Sequence, residues 1–244
     1  MTFKKGMIYG LGLGPGDPGL MSFKAHCILR DTTHIAFFRK KGRKGHARLI
    51  AEGLLSETVS EFAMEYPVTT EIPVNNPQYN EILSGFYADC TKRIKSISNK
   101  GLSVSVLCEG DPFFYGSFMH IYSRVKDTHP VTVVPGITGM SSAWTETGFP
   151  ITWGDDMLSV VTGTLSEESL IEKMRVSDAI VVMKVGQHLA KVRRALKATG
   201  HYEKAWLVQY AAMKQCNVQK LCEVKKDKTP YFSIILVHGE GRRP

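Results

Sequence analysis

Asp17, Glu109 and Asp111 are the acidic residues of this chain whose settings could do chemistry, because each follows an apolar run and stands among glycines and prolines. Around Asp17, the stretch MIYGLGLGPGDPGLMSF, residues 7–23, holds five glycines and two prolines. Glu109 and Asp111 fall in SVSVLCEGDPFFYGS, 103–117, and a third stretch, VTVVPGITGMSSA, 131–143, ends its apolar run at Pro135-Gly136 without an acid. A glycine-rich bend after a strand usually cradles a phosphate with backbone N–H groups. That reading fails here on pattern and on chemistry. The dinucleotide fingerprint G-x-G-x-x-G meets Pro15 at its sixth position when counted from Gly10, and Asp17 when counted from Gly12. A P-loop needs a lysine that does not come until Lys24. Pro15 and Pro18 remove two amide donors, and Asp17 adds a negative charge to the bend. Any one of these bends alone reads as an ordinary turn or helix cap. Three in one half of the chain favour a binding edge.

The elements around these bends follow from hydrophobic patterning. Strands are expected at 7–13, 34–38, 60–66, 103–108 and 131–135, then at 158–162, 179–184, 205–211, 218–223 and 232–238. Helix-period segments are 23–30, 46–55, 78–98, 115–126, 139–147, 167–175 and 187–199, with Ser22 a plausible N-cap for the first of them. Alternating strands and helices predict an α/β architecture with largely parallel pairing in the first half. The turn-rich stretch TETGFPITWGDD, 145–156, divides the strands five and five and suggests two domains, taken as 1–140 and 141–244. In a parallel sheet the three bends would gather at the carboxyl edge, where open α/β sheets bind ligands. Carboxylates there suit a ligand with cationic and hydroxyl-rich parts. S-adenosylmethionine, with its sulfonium, ammonium and ribose, has such parts.

Composition narrows the classes further. The chain has 244 residues, 43% of them apolar, enough to bury a real core. Nothing approaches a membrane span, and the short glycine-broken run after the N-terminal lysines does not read as a signal peptide. Five cysteines without a C-x-x-C, and scattered histidines, predict reduced thiols, a cytoplasmic setting and no structural metal. The net charge of +8 suggests an anionic partner. Met157, Met174 and Met183 read as packing residues.

The stretches GLGPGDPGLMSFKA, CEGDPFFYGS, VVPGITGMSSAW and GFPIT, in that order, resemble the tetrapyrrole methylases. The resemblance covers nearly the whole chain. The longer stretches EGDPFFYGSFMHIYSR, GITGMSSAWTETGFPITWGDD, VVMKVGQHLAKVRRAL and PYFSIILVHG, together with YPVTTE at 66–71, resemble the branch that methylates C20 of precorrin-2. C20 of cobalt-factor II, the metal-inserted counterpart, is the alternative target. The resemblance implies an α/β fold of two αβα domains with S-adenosylmethionine held in the cleft between them, and a homodimer acting on a small-molecule tetrapyrrole. It implies cofactor contacts at Pro15, Glu109, Gly110, Asp111 and Phe114, then at Thr138, Gly139, Met183 and Ala211. Glu109 departs from the glycine of the uroporphyrinogen-methylating branch.

Methyl transfer to carbon needs neither a metal nor an enzyme nucleophile, and no catalytic residue is assigned. A base that takes a proton from the ring would be sought among Tyr115, His120 and Asp111. The basic run RKKGRKGHAR, 39–48, is the natural place for substrate carboxylates, with Arg39, Lys40 and Arg43 as candidates and Gly42 and Gly45 suggesting a mobile loop. An RNA-binding protein is the rival suggested by charge alone, but no nucleic-acid-binding motif accompanies it. A nucleotide-dependent oxidoreductase fails on fingerprint spacing. Neither a nucleic acid nor a membrane is expected as a partner.

Overall fold

The structure, a computed structural model, describes residues 6–69, 72 and 76–241. Thr70 and Glu71 of the YPVTTE stretch therefore lie outside the described residues. Strand β1 (Ile8–Gly12) is buried along its whole length, as a strand in the interior of a parallel sheet must be. It pairs in parallel with β4 (Val104–Cys108) on one side and β5 (Val131–Val134) on the other. Beyond β4 come β2 (His34–Lys40) and β3 (Ser60–Tyr66), giving the order β3-β2-β4-β1-β5 with every pair parallel.

Alternation along these strands sends side chains to two layers. Tyr9, Leu11, Ile35 and Phe37 pack under α1 (Phe23–Asp31) and α2 (His46–Ile50). Ile8, Ala36, Val104 and Val106 pack under α3 (Pro77–Asn99) and α4 (Phe118–Val125). Ser22 caps α1 as its position suggests, its Oγ accepting the Ala25 amide at 3.2 Å. Two helices differ from expectation. Helix α2 stops at Ile50, with Gly53 at φ 80° beyond it, and α4 starts only at Phe118 because Tyr115 is held at φ 53°.

Residues from Gly139 onward form a second compact unit, the first ending at Thr138. Its sheet contains β6 (Leu158–Thr162), β7 (Ala179–Met183), β8 (Trp206–Gln209), β9 (Asn217–Lys220) and β10 (Ser233–Val237), in the order β6-β7-β10-β8-β9. Strands β6 and β7 are parallel, whereas β10 runs antiparallel between β7 and β8, and β9 runs antiparallel to β8. The strand expected at 218–223 ends at Lys220, where Leu221–Glu223 turns as a 3-10 helix to bury Leu221. Helix α5 (Gly139–Thr147) covers one face through Ala143 against Val181, Val208 and Leu236. On the other face α6 (Glu167–Arg175) and α7 (Leu189–Ala198) meet Ile180, Val182 and Leu207. Each unit is an αβα sandwich. Met174 is fully buried and Met183 packs in the α5 cluster, but Met157 is 45% exposed and corrects its reading as a packing residue.

Gly10, in the middle of β1, faces the ring of the fully buried Phe118, and a Cβ there would lie 2.5 Å from the ring Cζ. Gly10→Ala is expected to lower stability by about 1–3 kcal/mol through overpacking. Urea denaturation should show part of that loss recovered when Phe118→Leu is added.

Candidate functional site

The carboxyl ends of β4, β1 and β5 are neighbours, so the three glycine-bearing turns meet on one rim. They meet backbone against backbone. A Cβ on Gly12 would lie 2.5 Å from the Gly136 nitrogen and 2.9 Å from the Gly110 oxygen. Gly110, at φ 66°, donates its amide to the oxygen of Gly14, at φ 82°, over 2.7 Å. The glycines thus allow one turn to approach another more closely than any side chain would permit.

Asp111 joins two of the turns. Its Oδ1 accepts the Phe113 amide at 2.8 Å and its Oδ2 accepts the Gly136 amide at 3.0 Å, tying the loop after β4 to the loop after β5. Asp17 is exposed and accepts the Gly19 amide at 2.8 Å, capping the 3-10 turn Pro18–Leu20. Both acids therefore have local structural work, and the expectation of carboxylates awaiting a cation narrows to Glu109.

Several amides of the rim are also committed. Leu13 donates to Cys108, Gly110 to Gly14, Phe114 to Asp111, and Phe113, Gly136 and Gly19 to the two aspartates. Pro15 and Pro18 have no amide to offer. Each of these bonds removes a donor that a phosphate would use, and none of them hinders a ligand that brings donors or positive charge.

Glu109, the first residue after β4, is largely buried, and its carboxyl has no hydrogen bond or ion pair among the described residues. Burial pushes its pKa up to about 8, so it is a neutral acid at pH 7. An ammonium or sulfonium at the rim would find here the one carboxyl not already occupied by the turns.

Pro15 and Gly110 are buried, Phe114 lies against the Tyr115 ring with centroids 4.8 Å apart, and Thr138 ends the third turn. The first unit thus brings Pro15, Glu109, Gly110, Asp111, Phe114 and Thr138 onto the turns of one rim. Gly139 opens α5 in the second unit, where a Cβ would touch Ile234 at 3.7 Å. Met183 ends β7 and Ala211 lies two residues past β8, so both stand at the carboxyl edge of the second sheet. Lys184, Tyr210 and Ala212, immediately beside them, have φ of 54°, 55° and 58°. Non-glycine residues hold such conformations only where the surroundings enforce them, and they concentrate at functional sites. Nothing in the sequence signals them. A hydroxyl cluster was likewise missed. Ser117 hydrogen-bonds the Tyr66 hydroxyl and accepts the Tyr87 hydroxyl at 3.1 Å, and Tyr87 stacks on His120 at 4.3 Å. Burial and nearby Arg124 lower the His120 pKa.

The residues of the basic run differ in their settings. Arg39 lies on β2 opposite Glu65 of β3, and its guanidinium pairs with that carboxylate at 2.6 Å. Arg48 makes a two-pronged pair with Glu61 of β3, at 2.7–2.9 Å. Lys40 ends β2, while Arg43 is exposed and has no ion pair among the described residues. Gly45 is required where a Cβ would lie 2.7 Å from the Phe38 oxygen, and Gly42 takes φ 72°. These glycines serve the tight connection between β2 and α2. All five cysteines are free thiols.

An αβα unit whose glycine-bearing turns gather at the carboxyl rim defines a small-molecule site of the α/β class, in which the ligand sits outside the strand ends. The chain belongs to the Tetrapyrrole (Corrin/Porphyrin) Methylases, the family that residues 7–223 match. It is 42% identical over 98% of both chains to the precorrin-2 C(20)-methyltransferase of Sinorhizobium sp. It is 26% identical to the cobalt-precorrin-2 C(20)-methyltransferase of Salmonella typhimurium, over 96% of this chain and 97% of that one. Among solved structures, uroporphyrin-III C-methyl transferase from Thermus thermophilus, complexed with S-adenyl homocysteine, shares the fold with a TM-score of 0.65. That match is 20% identical and covers 95% of this chain and 92% of the other.

Asp111→Asn leaves one acceptor oxygen for two amides. The expected cost is about 1–3 kcal/mol in urea denaturation. For Glu109, the folded pKa lies above the unfolded value, so the folded chain holds the extra proton and stability falls as pH rises from near 4.5 through about 8. The slope contributed by this one group is about 1.4 kcal/mol per pH unit in that window. Melting curves between pH 5 and 9 should show this decline in the ligand-free protein and a shallower one in Glu109→Gln.

Proposed function

We propose that this protein transfers a methyl group from S-adenosylmethionine to C20 of precorrin-2, giving precorrin-3A in cobalamin biosynthesis. The observation that carries this reading is its end-to-end 42% identity with the Sinorhizobium enzyme. The lower identity with the cobalt-precorrin-2 enzyme favours the metal-free substrate, and cobalt-factor II is the alternative. The Glu109 carboxyl, which the turns leave unoccupied, supports a cationic methyl donor independently of any sequence likeness.

The donor supplies an electrophilic methyl on a positively charged sulfur. In this reading the turns around Pro15, Gly110 and Asp111 orient it through backbone oxygens, with Glu109 near its cationic end and Phe114 and Thr138 alongside. Gly139, Met183 and Ala211 are proposed contacts from the second unit. The two units act as two domains of a cytoplasmic homodimer. The chain's contribution to the rate is alignment of the ring carbon with the S–CH3 bond, which can supply about 7–11 kcal/mol of the barrier. Arg43 and Lys40 are proposed to meet substrate carboxylates, while Arg39 holds the end of β2 in place through Glu65.

The test is incubation with S-adenosylmethionine labelled in its methyl group and with precorrin-2 or cobalt-factor II. Label in C20 of precorrin-2, at a higher rate than in the cobalt substrate, is expected. An unlabelled tetrapyrrole beside a working control enzyme refutes the assignment. Arg43→Glu should raise KM for the tetrapyrrole several-fold and leave that for the donor unchanged. Arg39→Glu, placing two carboxylates opposite each other, should instead reduce thermal stability.

A further inference from the structure

The alignment mechanism leaves one chemical demand unmet. Substitution at a ring carbon that bears hydrogen produces a proton, and some group must receive it. Glu109 is the buried ionisable group at the rim that neither the turns nor an ion pair uses. It follows β4, next to the Gly14–Gly110 bridge that joins the β4 turn to the β1 turn. The groups around it leave its charge state to the ligand. On the β1 turn the acid is Asp17, exposed and engaged by Gly19. On the β5 turn, Pro135–Thr138 contains no titratable side chain. On its own turn Asp111 is held by two amides, Tyr115 is exposed, and the Cys108 thiol is kept protonated by burial.

We propose that Glu109 is the proton acceptor of the methyl transfer, ionising when the cationic donor binds at the rim and recovering a proton as the sulfur becomes neutral. The inference rests on the methyltransferase reading above. A positive charge within a few ångströms favours the carboxylate, and its removal restores the preference for the acid. Glu109 therefore gains proton affinity at the moment the ring must lose a proton. As the bond from C20 to the methyl forms, the S–CH3 electron pair returns to sulfur. The C20 proton passes to the Glu109 carboxylate, and its C–H electron pair returns to the ring. A neutral acid is left beside a neutral thioether, so no unpaired charge stays buried after transfer.

The experiment is calorimetric titration of the protein at pH 7 in two buffers of different ionisation enthalpy, with S-adenosylmethionine and with S-adenosylhomocysteine, whose sulfur is uncharged. Wild type is expected to release close to one proton per site with the first ligand and clearly fewer with the second. Glu109→Gln should abolish that difference, weaken S-adenosylmethionine binding about tenfold or more while sparing S-adenosylhomocysteine, and lower kcat about a hundredfold or more. Equal proton release with both ligands, or a difference that survives Glu109→Gln, overturns the proposal. Failure to bind either ligand removes the methyltransferase reading itself, which distinguishes the two failures. Should Glu109→Gln not fold, the two-ligand comparison on wild type still decides.

Discussion

The first unit depends on three turns approaching one another at distances that exclude a Cβ. Gly12, Gly110 and Gly136 make this possible, and Asp111 fixes it by accepting an amide from each of two loops. Because the turns bond to one another, several of their amide donors are engaged before a ligand arrives. Beside them stand carbonyl oxygens and one largely buried carboxyl. Electrostatic character at this rim is thus a by-product of how the loops are held together, and it selects against anions without any acidic cluster. Carbonyl dipoles and a neutral acid are gentler on the ligand-free fold than an array of unpaired carboxylates would be.

Charge on the rest of the surface follows a different logic. Two arginines of the basic run are paired with β3 glutamates, so the run offers less free positive charge than its residue types suggest. Lys92 and Lys95 of α3 and Lys100 just beyond it line an open groove with Arg124. Pairing across β2 and β3 holds the sheet's edge strand against its neighbour. Exposed ion pairs are weak individually, but the two-pronged geometry of Arg48 on Glu61 makes it a directional restraint.

Much of this architecture was legible in the sequence. The ten strands, the Ser22 cap and the gathering of three turns on one edge follow from apolar runs, turn formers and the geometry of parallel sheets. The resemblance to the tetrapyrrole methylases rested on motif order and is matched by the family assignment. What the sequence hid depends on register and on contact between distant segments. Arg39 faces Glu65 only because β2 and β3 pair at that register, and no local pattern announces it. Asp111 could be read as a ligand-facing acid because its partner, the Gly136 amide, lies 25 residues away. The glycines were recognised as freedom of the backbone, while their use, close approach to other backbone, emerges only in three dimensions. Left-handed Tyr210 and Ala212 are enforced by tertiary context and have no residue-type signature.

Strand β10 sits between β7 and β8 although it is the last strand among the described residues. During synthesis, all five strands of the first sheet have been made by residue 134, whereas the second sheet stays split into β6-β7 and β8-β9 pairs until residues 233–237 emerge. The two halves therefore mature on different schedules. Until its final hydrogen-bond ladders close, the later half carries two open strand edges that invite mispairing, a vulnerability that ends with one late insertion.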